Sequence, residues 1–343
     1  MQHTVALSFA DGNTLFIKAN HNDVLMDAAL RHGITLPIDC REGVCGTCKG
    51  RCESGQYRLD YADEEALTPA EQNARFVLSC QTRVQSDGTY YYDFDASLCS
   101  SQPLQPMTAA ITRLQPVSDD TVILGLQLHD HADTFRFLPG QYVNLQIPGT
   151  PHRRAYSLAN AANPHNRLQL LIRLLPDGQM GKYLQHCQVG DQLQLTGPFG
   201  AFYLRQPQRP LYFLAGGTGL SAFLAMLDTL TAQTDAIEQP IRLYYGVNRP
   251  EDLCELERLQ QYQHQLPDFE WYPIVSKPDS GWSGRSGYIP EHLPLSALRD
   301  TEFDMYLCGP PPMIDAVTQW CADHSLTSGK LYSEKFTAPQ TAG

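Results

Sequence analysis

Four cysteines lie close together near the start of the chain, in the segment DCREGVCGTCKGRC. Cys40, Cys45 and Cys48 have the spacing C-x4-C-x2-C, and Cys80 follows after 31 intervening residues. This is the spacing of plant-type [2Fe–2S] sites. Two irons bridged by sulfide need four thiolates, so a tight loop must present three of them and a distant strand end the fourth. We therefore predict that these four side chains hold a [2Fe–2S] cluster.

Small residues in the same segment suit that task. Gly43, Gly46 and Thr47 would let the backbone fold over the cluster and direct N–H groups at its sulfurs. Zinc is the competing metal, but structural zinc sites usually contain two CxxC-like pairs, and the second pair is missing. A disulfide framework is disfavoured, because clustered cysteines in a large chain without an export signal indicate metal or redox chemistry.

Cys52 leaves the ligand assignment open at one position. We interpret it as a small half-buried thiol on the strand that leaves the loop. The remaining isolated cysteines lie on apolar or linker segments, where core packing explains them. They are Cys99, Cys187, Cys254 and Cys321.

A second group of polar residues lies in the string RRAYSLAN. Arg154, Tyr156 and Ser157 could hold a pyrophosphate, lie against a ring system and hydrogen-bond the edge of a flavin. Alone the string is weak evidence, because R-x-Y-S occurs by chance and an ordinary surface strand would explain it. It gains weight from LLPDGQMGKYL, where Gly178 and Gly181 lie at the start of a predicted helix whose N–H groups suit phosphate oxygens. GPFG adds a predicted tight turn in the same region.

A third group is the motif G-x-G-x-x-A, formed by Gly217, Gly219 and Ala222 between the apolar strand LYFLA and a predicted helix. This context predicts dinucleotide binding, because the glycines allow close approach of the phosphates. The acidic residue expected about 20 positions later is not in place, because the strand IRLYYGV is followed by Asn248 and Arg249. This argues against a standard Rossmann dehydrogenase. Further on, DMYLCGPPPM predicts a strand, a rigid loop with the Cys308 thiol and a helix at the ligand-binding edge of a sheet. Taken alone, a proline-stiffened turn also explains this loop.

Bulk properties restrict the possible functions. The chain has 343 residues, a formal net charge of −12 and ten cysteines. The length predicts two or three domains, and the negative charge argues against nucleic acid and anionic membranes as partners. We expect a cytoplasmic protein, because neither a signal-like start nor a long apolar stretch occurs. Residues 1–98 carry 14 acidic against eight basic side chains, which reflects either an ordinary solvated surface or a docking face for a basic partner.

Three kinds of secondary-structure pattern must position these groups. Residues 1–98 begin with a predicted hairpin around ADGN and a helix that Gly33 caps, which suggests a small α+β module. Residues 99–106 are predicted to be a linker. Residues 107–205 contain short strands of period two, typical of an antiparallel barrel or sandwich. Residues 206–343 alternate apolar strands, glycine turns and helices, which predicts a parallel sheet with helices on its faces and a C-terminal tail.

Taken together and in this order, CREGVCGTC with the later cysteine, RAYS, GPFG, GGTG and CGPPPM resemble a known family over essentially the whole chain. The chain resembles the reductase component of two-component aromatic-ring-hydroxylating dioxygenases, of the benzoate and anthranilate 1,2-dioxygenase reductase type. The resemblance implies a multidomain fold: a β-grasp ferredoxin domain with a [2Fe–2S] cluster, an antiparallel β-barrel for FAD and an α/β domain for NADH. The last two are those of the ferredoxin–NADP⁺ reductase superfamily.

The resemblance also assigns residues to each cofactor. The four cysteines named first would hold the cluster. Residues implied at FAD are Arg154, Tyr156, Ser157, Gly178, Met180, Gly181 and Phe336. Residues implied at the nicotinamide dinucleotide are Gly216, Gly217, Thr218, Gly219, Cys308, Gly309 and Pro310. Those implied at the reacting rings are Ser157, Cys308 and Phe336. Family members often have Ser in place of Gly181, which leaves a backbone donor there but removes a hydroxyl.

Electron counting explains why the three cofactors occur together. NADH releases two electrons at once, whereas a cluster of this type accepts one at a time, so a flavin must lie between them. The resemblance implies electron transfer to a Rieske-type terminal oxygenase, which would bind the aromatic substrate. NADH is implied rather than NADPH, although Arg249 leaves room for a 2′-phosphate.

Two alternatives stay open. The reductase of a diiron monooxygenase shares the same three modules, and a zinc-binding interaction protein with a degenerate nucleotide fold is the alternative from another class. No acid–base triad is expected. The other histidines, such as His129, His131 and His186, are interpreted as ordinary polar side chains.

Overall fold

The fold is that of a computed structural model, which describes residues 1–99, 105–129, 135–233 and 237–336. Most of the predicted linker lies outside these ranges, as do His131 and the predicted C-terminal tail beyond Phe336. The chain divides into two compact units, of which the first contains Met1–Gln105 and the second nearly all of the rest. None of the helices in the described residues is long and apolar enough to cross a membrane.

The first unit is built on a mixed sheet with the order β2-β1-β7-β3-β5, in which β1 and β7 are parallel and the other pairs are antiparallel. Two further strands, β4 and β6, pair with each other. The elements are β1 (Gln2–Phe9), β2 (Thr14–Asn20), α1 (Leu25–Arg31), β3 (Lys49–Ser54), β4 (Tyr57–Leu59), α2 (Pro69–Asn73), β5 (Phe76–Leu78), β6 (Thr82–Val84) and β7 (Gly88–Tyr92). This β-grasp arrangement confirms the predicted fold of the N-terminal domain.

Local sequence explains these first elements. Alternate residues of β1, including Val5 and Leu7, are fully buried, as expected for a half-buried strand. The predicted turn closes where the Phe9 N–H donates to the Asn13 carbonyl at 2.9 Å. Helix α1 is followed by Gly33, which has a φ of +74° that a glycine adopts without strain. The long connection between α1 and β3 then carries the first three ligand cysteines.

The second unit begins with an antiparallel sheet of order β11-β10-β13-β8-β9-β12. A bridge between Leu158 and Leu170 joins the segments at its two ends, so the sheet closes into a barrel. The elements are β8 (Met107–Pro116), β9 (Thr121–Leu128), β10 (Tyr142–Gln146), β11 (Arg153–Ser157), β12 (Arg167–Arg173), α3 (Gln179–Leu184) and β13 (Gln192–Phe199). The barrel is therefore the correct choice between the two predicted β architectures. The first three residues of the GPFG segment are the end of β13 rather than a separate turn.

The remainder of the second unit is a parallel sheet of order β17-β16-β15-β14-β18-β19. The elements are β14 (Leu211–Gly216), α4 (Leu220–Ala232), β15 (Ile241–Val247), α5 (Leu256–Gln265), β16 (Phe269–Val275), β17 (Arg285–Ser286), α6 (Leu295–Asp300), β18 (Phe303–Gly309), α7 (Pro311–Asp323) and β19 (Gly329–Lys335). The strand order reverses between β14 and β18. Ligands of such sheets bind at the carboxyl ends of the strands on either side of the reversal.

Helices cover both faces of this sheet. Strand β14 buries Phe213 against Phe223 of α4 on one face and Leu214 in the core with Val317 of α7 on the other. The first of these cores also includes Ile123 of the barrel, so barrel and α/β sheet share apolar packing. The α/β architecture predicted from alternating strands and helices is confirmed.

Candidate cofactor sites

The four predicted ligand thiols form two pairs. Cys40 interacts with Cys45, and Cys48 with Cys80. The hydrogen bond from Cys45 lowers the pKa of Cys40 to about 5, and that from Cys48 lowers the pKa of Cys80. The same hydrogen bonds raise the pKa values of Cys45 and Cys48. In each pair one thiol therefore ionises readily, and a metal that binds both sulfurs would displace the proton of the other.

This pairing of thiols fits a two-iron cluster. In the parts of the chain that the structure describes, no group of three or more His, Cys, Asp or Glu side chains is placed to hold one metal ion. Two irons bridged by sulfide need two thiolates each, and the two pairs supply them. A tetrahedral zinc site would need its ligands around one point. The donor set fits a [2Fe–2S] cluster.

Backbone N–H groups of the loop point at these sulfurs. The Glu42 N–H donates to Cys40 Sγ at 3.4 Å, and the Gly43 N–H hydrogen-bonds to Cys80. Gly43 has a φ of +80°, and a Cβ there would lie 2.9 Å from the Tyr61 carbonyl oxygen. A glycine is needed at this position on both counts. Such N–H donors stabilise thiolates and tune the potential of a cluster.

Two buried hydroxyl groups hold the second pair together. The Ser79 N–H and Oγ both donate to the Cys48 carbonyl oxygen, at 3.1 and 3.0 Å. Ser79 Oγ also lies 2.8 Å from the hydroxyl of Tyr92, and both side chains are fully buried. Ser79 precedes Cys80, so these bonds fix the distance between the loop and the fourth ligand. The sequence offered no signal for this role of Ser79.

Cys52 lies outside the two pairs. Its Sγ donates to the Ser54 carbonyl at 3.2 Å and accepts a hydrogen bond from Arg75 Nη2 at 3.1 Å. The side chain is buried on β3, not half-buried as predicted. This thiol has a complete set of protein partners, which agrees with a packing role.

The strand β11 presents the predicted flavin residues. Arg154 and Tyr156 point to one face of the strand, and their neighbours Arg153 and Ala155 to the exposed face. Burial raises the pKa of Tyr156, which keeps the phenol protonated. Arg154 Nη1 donates to the Arg153 carbonyl at 2.8 Å. Within the described residues Arg154 forms no ion pair with a carboxylate, so its charge is not offset and its other N–H groups can bind a phosphate.

The next predicted phosphate site is the start of α3. Gly178 is the N-cap residue, and no side chain caps this end in the described structure. Met180 is buried in the barrel core, so only its backbone N–H can face a ligand. A Cβ at Gly181 would lie 3.5 Å from the Leu175 carbonyl oxygen, an ordinary contact distance. The position of Gly181 therefore has room for a larger residue.

The two nucleotide motifs pack directly on each other at the carboxyl ends of β14 and β18. A Cβ at Gly216 would lie 2.7 Å from Met313 Sδ, and one at Gly309 would lie 3.0 Å from the Gly216 backbone. The contact is tightest at Gly219, where a Cβ would lie 2.1 Å from the Cys308 carbonyl oxygen of β18. Glycine is needed at these three positions because a side chain there would collide with the other loop.

Gly217 differs from those three glycines. It has a φ of +54°, and a Cβ there would have no heavy atom within 4 Å. Gly217 and Thr218 lie in a 3₁₀ turn that leads into α4, whose N-terminus is suited to bind a phosphate. Gly217 is thus the glycine of this loop with free space around it, whereas Gly219 is crowded by β18. The motif alone does not show this difference.

Cys308 lies with two residues from other strands. Burial raises the pKa of its thiol well above the usual range, Glu334 adds to this, and a hydrogen bond with Ser157 opposes it. Ser157 Oγ also donates to Glu334 Oε2 at 3.3 Å. Phe336 is held nearby, since its N–H donates to the Gly309 carbonyl at 2.9 Å. Three of the predicted site residues therefore lie close to Glu334, which was not among the residues predicted from the sequence.

Charged residues follow β15, where a dinucleotide-binding fold often has an acidic residue. The Arg249 guanidinium lies 3.0 Å from Glu251 Oε1 and 3.2 Å from Asp252 Oδ1. Asp252 also accepts the Arg249 N–H at 3.0 Å. Two carboxylates thus offset the charge of Arg249, which reduces its attraction for a 2′-phosphate.

Domain families with known cofactors match the chain in the predicted order. The family described as 2Fe-2S iron-sulfur cluster binding domain matches residues 8–85. The Oxidoreductase FAD-binding domain matches residues 108–203, and the Oxidoreductase NAD-binding domain matches residues 213–319. The cofactors of this chain are therefore a [2Fe–2S] cluster, FAD and NADH.

Full-length relatives share all of these modules. The anthranilate 1,2-dioxygenase electron transfer component of Acinetobacter baylyi is 49% identical, covering 100% of this chain and 99% of that protein. The toluate 1,2-dioxygenase electron transfer component of Pseudomonas putida is 42% identical, with 98% and 99% covered. The 2-halobenzoate 1,2-dioxygenase electron transfer component of Burkholderia cepacia is 39% identical, with 98% of both chains covered.

Solved structures agree. A crystal structure of an Amycolatopsis cytochrome P450 reductase matches with a TM-score of 0.72 and 29% identity, covering 98% of this chain and 99% of the other. A ferredoxin reductase in carbazole 1,9a-dioxygenase matches with a TM-score of 0.63 and 26% identity, covering 97% and 99%. Both similarities extend over nearly the whole chain.

Proposed function

The chain belongs to the family of aromatic-acid 1,2-dioxygenase electron transfer components, and on this premise we propose that it passes electrons from NADH to the terminal oxygenase of such a dioxygenase. The observation that carries the proposal is the arrangement of four thiols as two pairs, Cys40 with Cys45 and Cys48 with Cys80. When bound, the three cofactors together turn a two-electron donor into a source of single electrons. The residues of the chain hold these cofactors.

Each cluster ligand has a distinct support. The loop presents Cys40, Cys45 and Cys48, and its N–H groups stabilise their negative charge. Ser79 ties Cys80 to the loop through the Cys48 carbonyl. We propose residues 1–98 as the ferredoxin domain and 99–106 as its linker.

The barrel, proposed as residues 107–205, binds FAD. Arg154 offers a guanidinium to the pyrophosphate, and the N–H groups of Gly178, Met180 and Gly181 lie where phosphate oxygens can accept from them. Tyr156 offers a flat, protonated ring beside the flavin. Ser157 can donate a hydrogen bond at the flavin edge.

The α/β domain, proposed as residues 206–343, binds NADH at the reversal of its strand order. The loop of Gly216, Gly217, Thr218 and Gly219 would receive the phosphates, and the open space around Gly217 would allow them to approach its backbone. Cys308, Gly309 and Pro310 lie beside the nicotinamide. A buried thiol of raised pKa stays neutral, so Cys308 supplies an apolar and polarisable contact rather than a charge.

The reacting rings would meet where barrel and sheet residues come together. Ser157 of the barrel contacts both Cys308 and Glu334 of the sheet. Phe336 follows β19 and is hydrogen-bonded to Gly309 at the end of β18, from where it would cover the flavin ring. These side chains orient the two rings and exclude water from the space between them.

The proposed acceptor is a Rieske-type terminal oxygenase that acts on an aromatic acid. Relatives named for 1,2-dioxygenases of aromatic acids are 39–49% identical to this chain, whereas propane 2-monooxygenase reductase components are 30–32% identical. This difference favours the dioxygenase over the monooxygenase partner. We also propose a cytoplasmic location, because free thiols and a cluster persist in a reducing compartment.

The test combines the purified protein with NADH and purified terminal oxygenases for anthranilate, toluate and 2-halobenzoate. We expect NADH oxidation coupled to dihydroxylated product with at least one of them, and an absorption spectrum with both flavin and iron–sulfur bands. Anaerobic reduction with dithionite should produce the rhombic paramagnetic signal of a reduced [2Fe–2S] cluster. A protein that reduces a small dye with NADH but none of these oxygenases would contradict the proposed partner, and a colourless protein that contains zinc would contradict the whole proposal.

A further inference from the structure

A partly buried group of polar side chains joins the barrel to the α/β sheet at a distance from the residues of the proposed reaction. Its centre is Arg258 on α5, whose side chain is 18% exposed. One guanidinium nitrogen, Nη2, donates to the Ala159 carbonyl of the barrel at 2.9 Å and to Asp228 Oδ2 of α4 at 2.8 Å. A single cation thus contacts both parts.

The other members of the group complete these hydrogen bonds. Asp228 Oδ2 also accepts the Ala161 N–H of the barrel at 3.2 Å. The Tyr262 hydroxyl donates to Asp228 Oδ1 at 2.5 Å and accepts from Arg258 Nε at 2.6 Å. The α/β side therefore supplies a donor for one barrel peptide group and an acceptor for another, in a geometry that only one relative orientation satisfies.

The barrel segment in this contact is itself fixed. The Ala159 N–H donates to the Gln169 carbonyl at 2.7 Å, and the Gln169 N–H donates to Asn160 Oδ1 at 2.6 Å. The segment cannot shift without breaking barrel hydrogen bonds. It begins two residues after Ser157, so a displacement here is transmitted directly to the strand that carries the flavin residues.

The α/β side is equally well connected to the nucleotide. Helix α4 begins directly after the loop of Gly217–Gly219, and Asp228 lies eight residues into it, about 12 Å along the axis. The helix is buried along most of its length, which makes it a rigid connection. A displacement of the nucleotide loop would therefore move Asp228 and, through it, the barrel segment that it contacts.

Apolar packing between the two parts does not define their orientation by itself. Ile123, Leu171 and Phe202 of the barrel side share a core with α4 and β14. Hydrophobic burial is non-directional, so small rotations would keep most of this contact. Buried ionic groups contribute less to stability than to the selection of one arrangement in several known cases.

We infer that Arg258 and Asp228 form an interdomain lock that sets the distance between the nicotinamide and the flavin. The inference rests on the proposed transfer from NADH to FAD. Both are positioning residues, since neither is among the residues proposed at the rings and both act through Ser157 and through the nucleotide loop. Misplacement of reacting groups by about 1 Å can slow a reaction on the order of 100-fold.

The test compares Arg258→Met and Asp228→Asn with the wild-type protein loaded with all its cofactors. Stopped-flow measurement should show flavin reduction by NADH slowed by about 10- to 100-fold in either variant. The dissociation constant for NADH should change less than about threefold, because the nucleotide loop, Asp228 and Arg258 belong to one domain. Arg258→Lys should restore part of the rate, since an ammonium can reach one of the two acceptors but lacks the planar fork.

Arg242 offers a matched control. Its side chain is 22% exposed, and it pairs with Asp268 at 2.7 Å within the α/β sheet. Arg242→Met removes an ion pair of similar burial that does not reach the barrel. We expect a loss of stability but an unchanged rate of flavin reduction.

A second readout needs no flavin chemistry. The Ala161 amide donates to Asp228, so hydrogen–deuterium exchange of residues 158–163 should accelerate in Arg258→Met and stay at the wild-type level in Arg242→Met. Exchange that is equal in all three proteins would overturn the lock, as would flavin reduction in Arg258→Met at the wild-type rate. If wild-type flavin is not reduced by NADH, the proposed function fails, and the exchange data alone still decide the lock.

A variant that retains the buried volume guards against misfolding. Tyr262→Phe removes only the hydroxyl that connects Arg258 with Asp228. We expect the same direction of change, slower flavin reduction and faster exchange, by a smaller factor of about three to ten. A folded Tyr262→Phe protein with wild-type values in both measurements would count against the lock.

Discussion

Gly219 and Cys308 are in such close contact that the first can only be a glycine. A Cβ at Gly219 would lie 2.1 Å from the carbonyl oxygen of Cys308, well inside contact distance. The carbonyl belongs to the buried strand β18 and cannot move aside without loss of its sheet hydrogen bonds. The two glycines of the G-x-G motif therefore serve separate purposes, since Gly217 has open space around it.

Because of this difference, we predict that substitution of Gly219 mainly lowers stability, whereas substitution of Gly217 mainly weakens nucleotide binding. Gly219→Ala should lower the free energy of unfolding by about 2–4 kcal/mol through overpacking. Gly217→Ala should cost only about 1–2 kcal/mol, for a left-handed alanine, while it weakens binding of ADP-ribose at least several-fold. Chemical unfolding and isothermal titration check the two effects. Equal effects of both variants on stability and on binding would contradict the assignment.

Substitution of a cysteine from either thiol pair should remove the cluster. Substitution of the nearby Cys52, which belongs to neither pair, should not. In Cys80→Ser we expect loss of iron and of reduction of the oxygenase, because Cys48 loses its partner. Reduction of a small dye by NADH should persist, since the flavin and nucleotide sites lie in other domains. Iron analysis and the two activities measured on the same sample check this.

Cys52→Ser is the matched control for that variant. Its hydroxyl can replace the thiol between the Ser54 carbonyl and Arg75, so iron content and both activities should stay at wild-type levels. A cluster lost from Cys52→Ser but retained in Cys80→Ser would show that the ligand set has been misassigned.

The sequence predicted those features that depend on local spacing. The intervals between Cys40, Cys45 and Cys48 give the cluster loop, and period-two segments give the barrel strands, because both depend on neighbours in the chain. The turn before β2 and the glycine after α1 were found for the same reason. Local geometry follows from local residue types.

Features that depend on distant parts of the chain were missed. Ser157 and Glu334 are 177 positions apart, and Arg258 and Ala159 are 99 apart. A single serine, glutamate or arginine carries no pattern of its own, so only the folded chain shows these contacts. Cys52 was correctly interpreted as a packing thiol, but its partners, a carbonyl and an arginine, could not be predicted from the sequence.

Removal of the Ser79 hydroxyl should loosen the second thiol pair. In Ser79→Ala the buried Tyr92 hydroxyl loses its partner, which costs about 1–3 kcal/mol, and the Cys48 carbonyl loses one of two donors. We expect faster loss of iron to a chelator, measured by the decay of the cluster absorption. Tyr92→Phe, which leaves the Ser79–Cys48 bond intact, should lose iron at close to the wild-type rate. Equal rates in Ser79→Ala and wild type would show that this bond does not support the cluster.

The start of α3 should accept a hydroxyl group at position 181. Gly181→Ser places its Cβ 3.5 Å from the Leu175 carbonyl oxygen, so the fold is retained. A hydroxyl beside a phosphate adds a hydrogen bond to a charged acceptor, and we expect FAD to bind about three- to tenfold more tightly to the apoprotein. Titration of apoprotein with FAD, followed by flavin fluorescence, measures this. Weaker binding in a folded variant would place the phosphates elsewhere.

The acidic surface beside the cluster loop should guide the oxygenase. Glu64 and Glu65 are exposed, and their segment is anchored to the loop where the Asp63 N–H donates to the Gly43 carbonyl at 3.0 Å. Electrostatic attraction to a basic partner raises association rates and is screened by salt. In the double variant Glu64→Gln and Glu65→Gln, oxygenase reduction at low salt should slow several-fold, with a flatter salt dependence and unchanged dye reduction.

Two exposed carboxylates of the α/β domain, Asp300 and Asp323, provide the control for that double variant. Their conversion to Asn removes the same total charge from a surface of another domain. If net charge alone governed association, both double variants would slow the oxygenase equally. Because steering depends on where the charge lies relative to the point of electron transfer, we expect only the variant beside the cluster loop to change the salt dependence. The logarithm of the reduction rate is plotted against ionic strength for the wild type and both double variants. The slopes decide whether net charge or the position of the charge governs association.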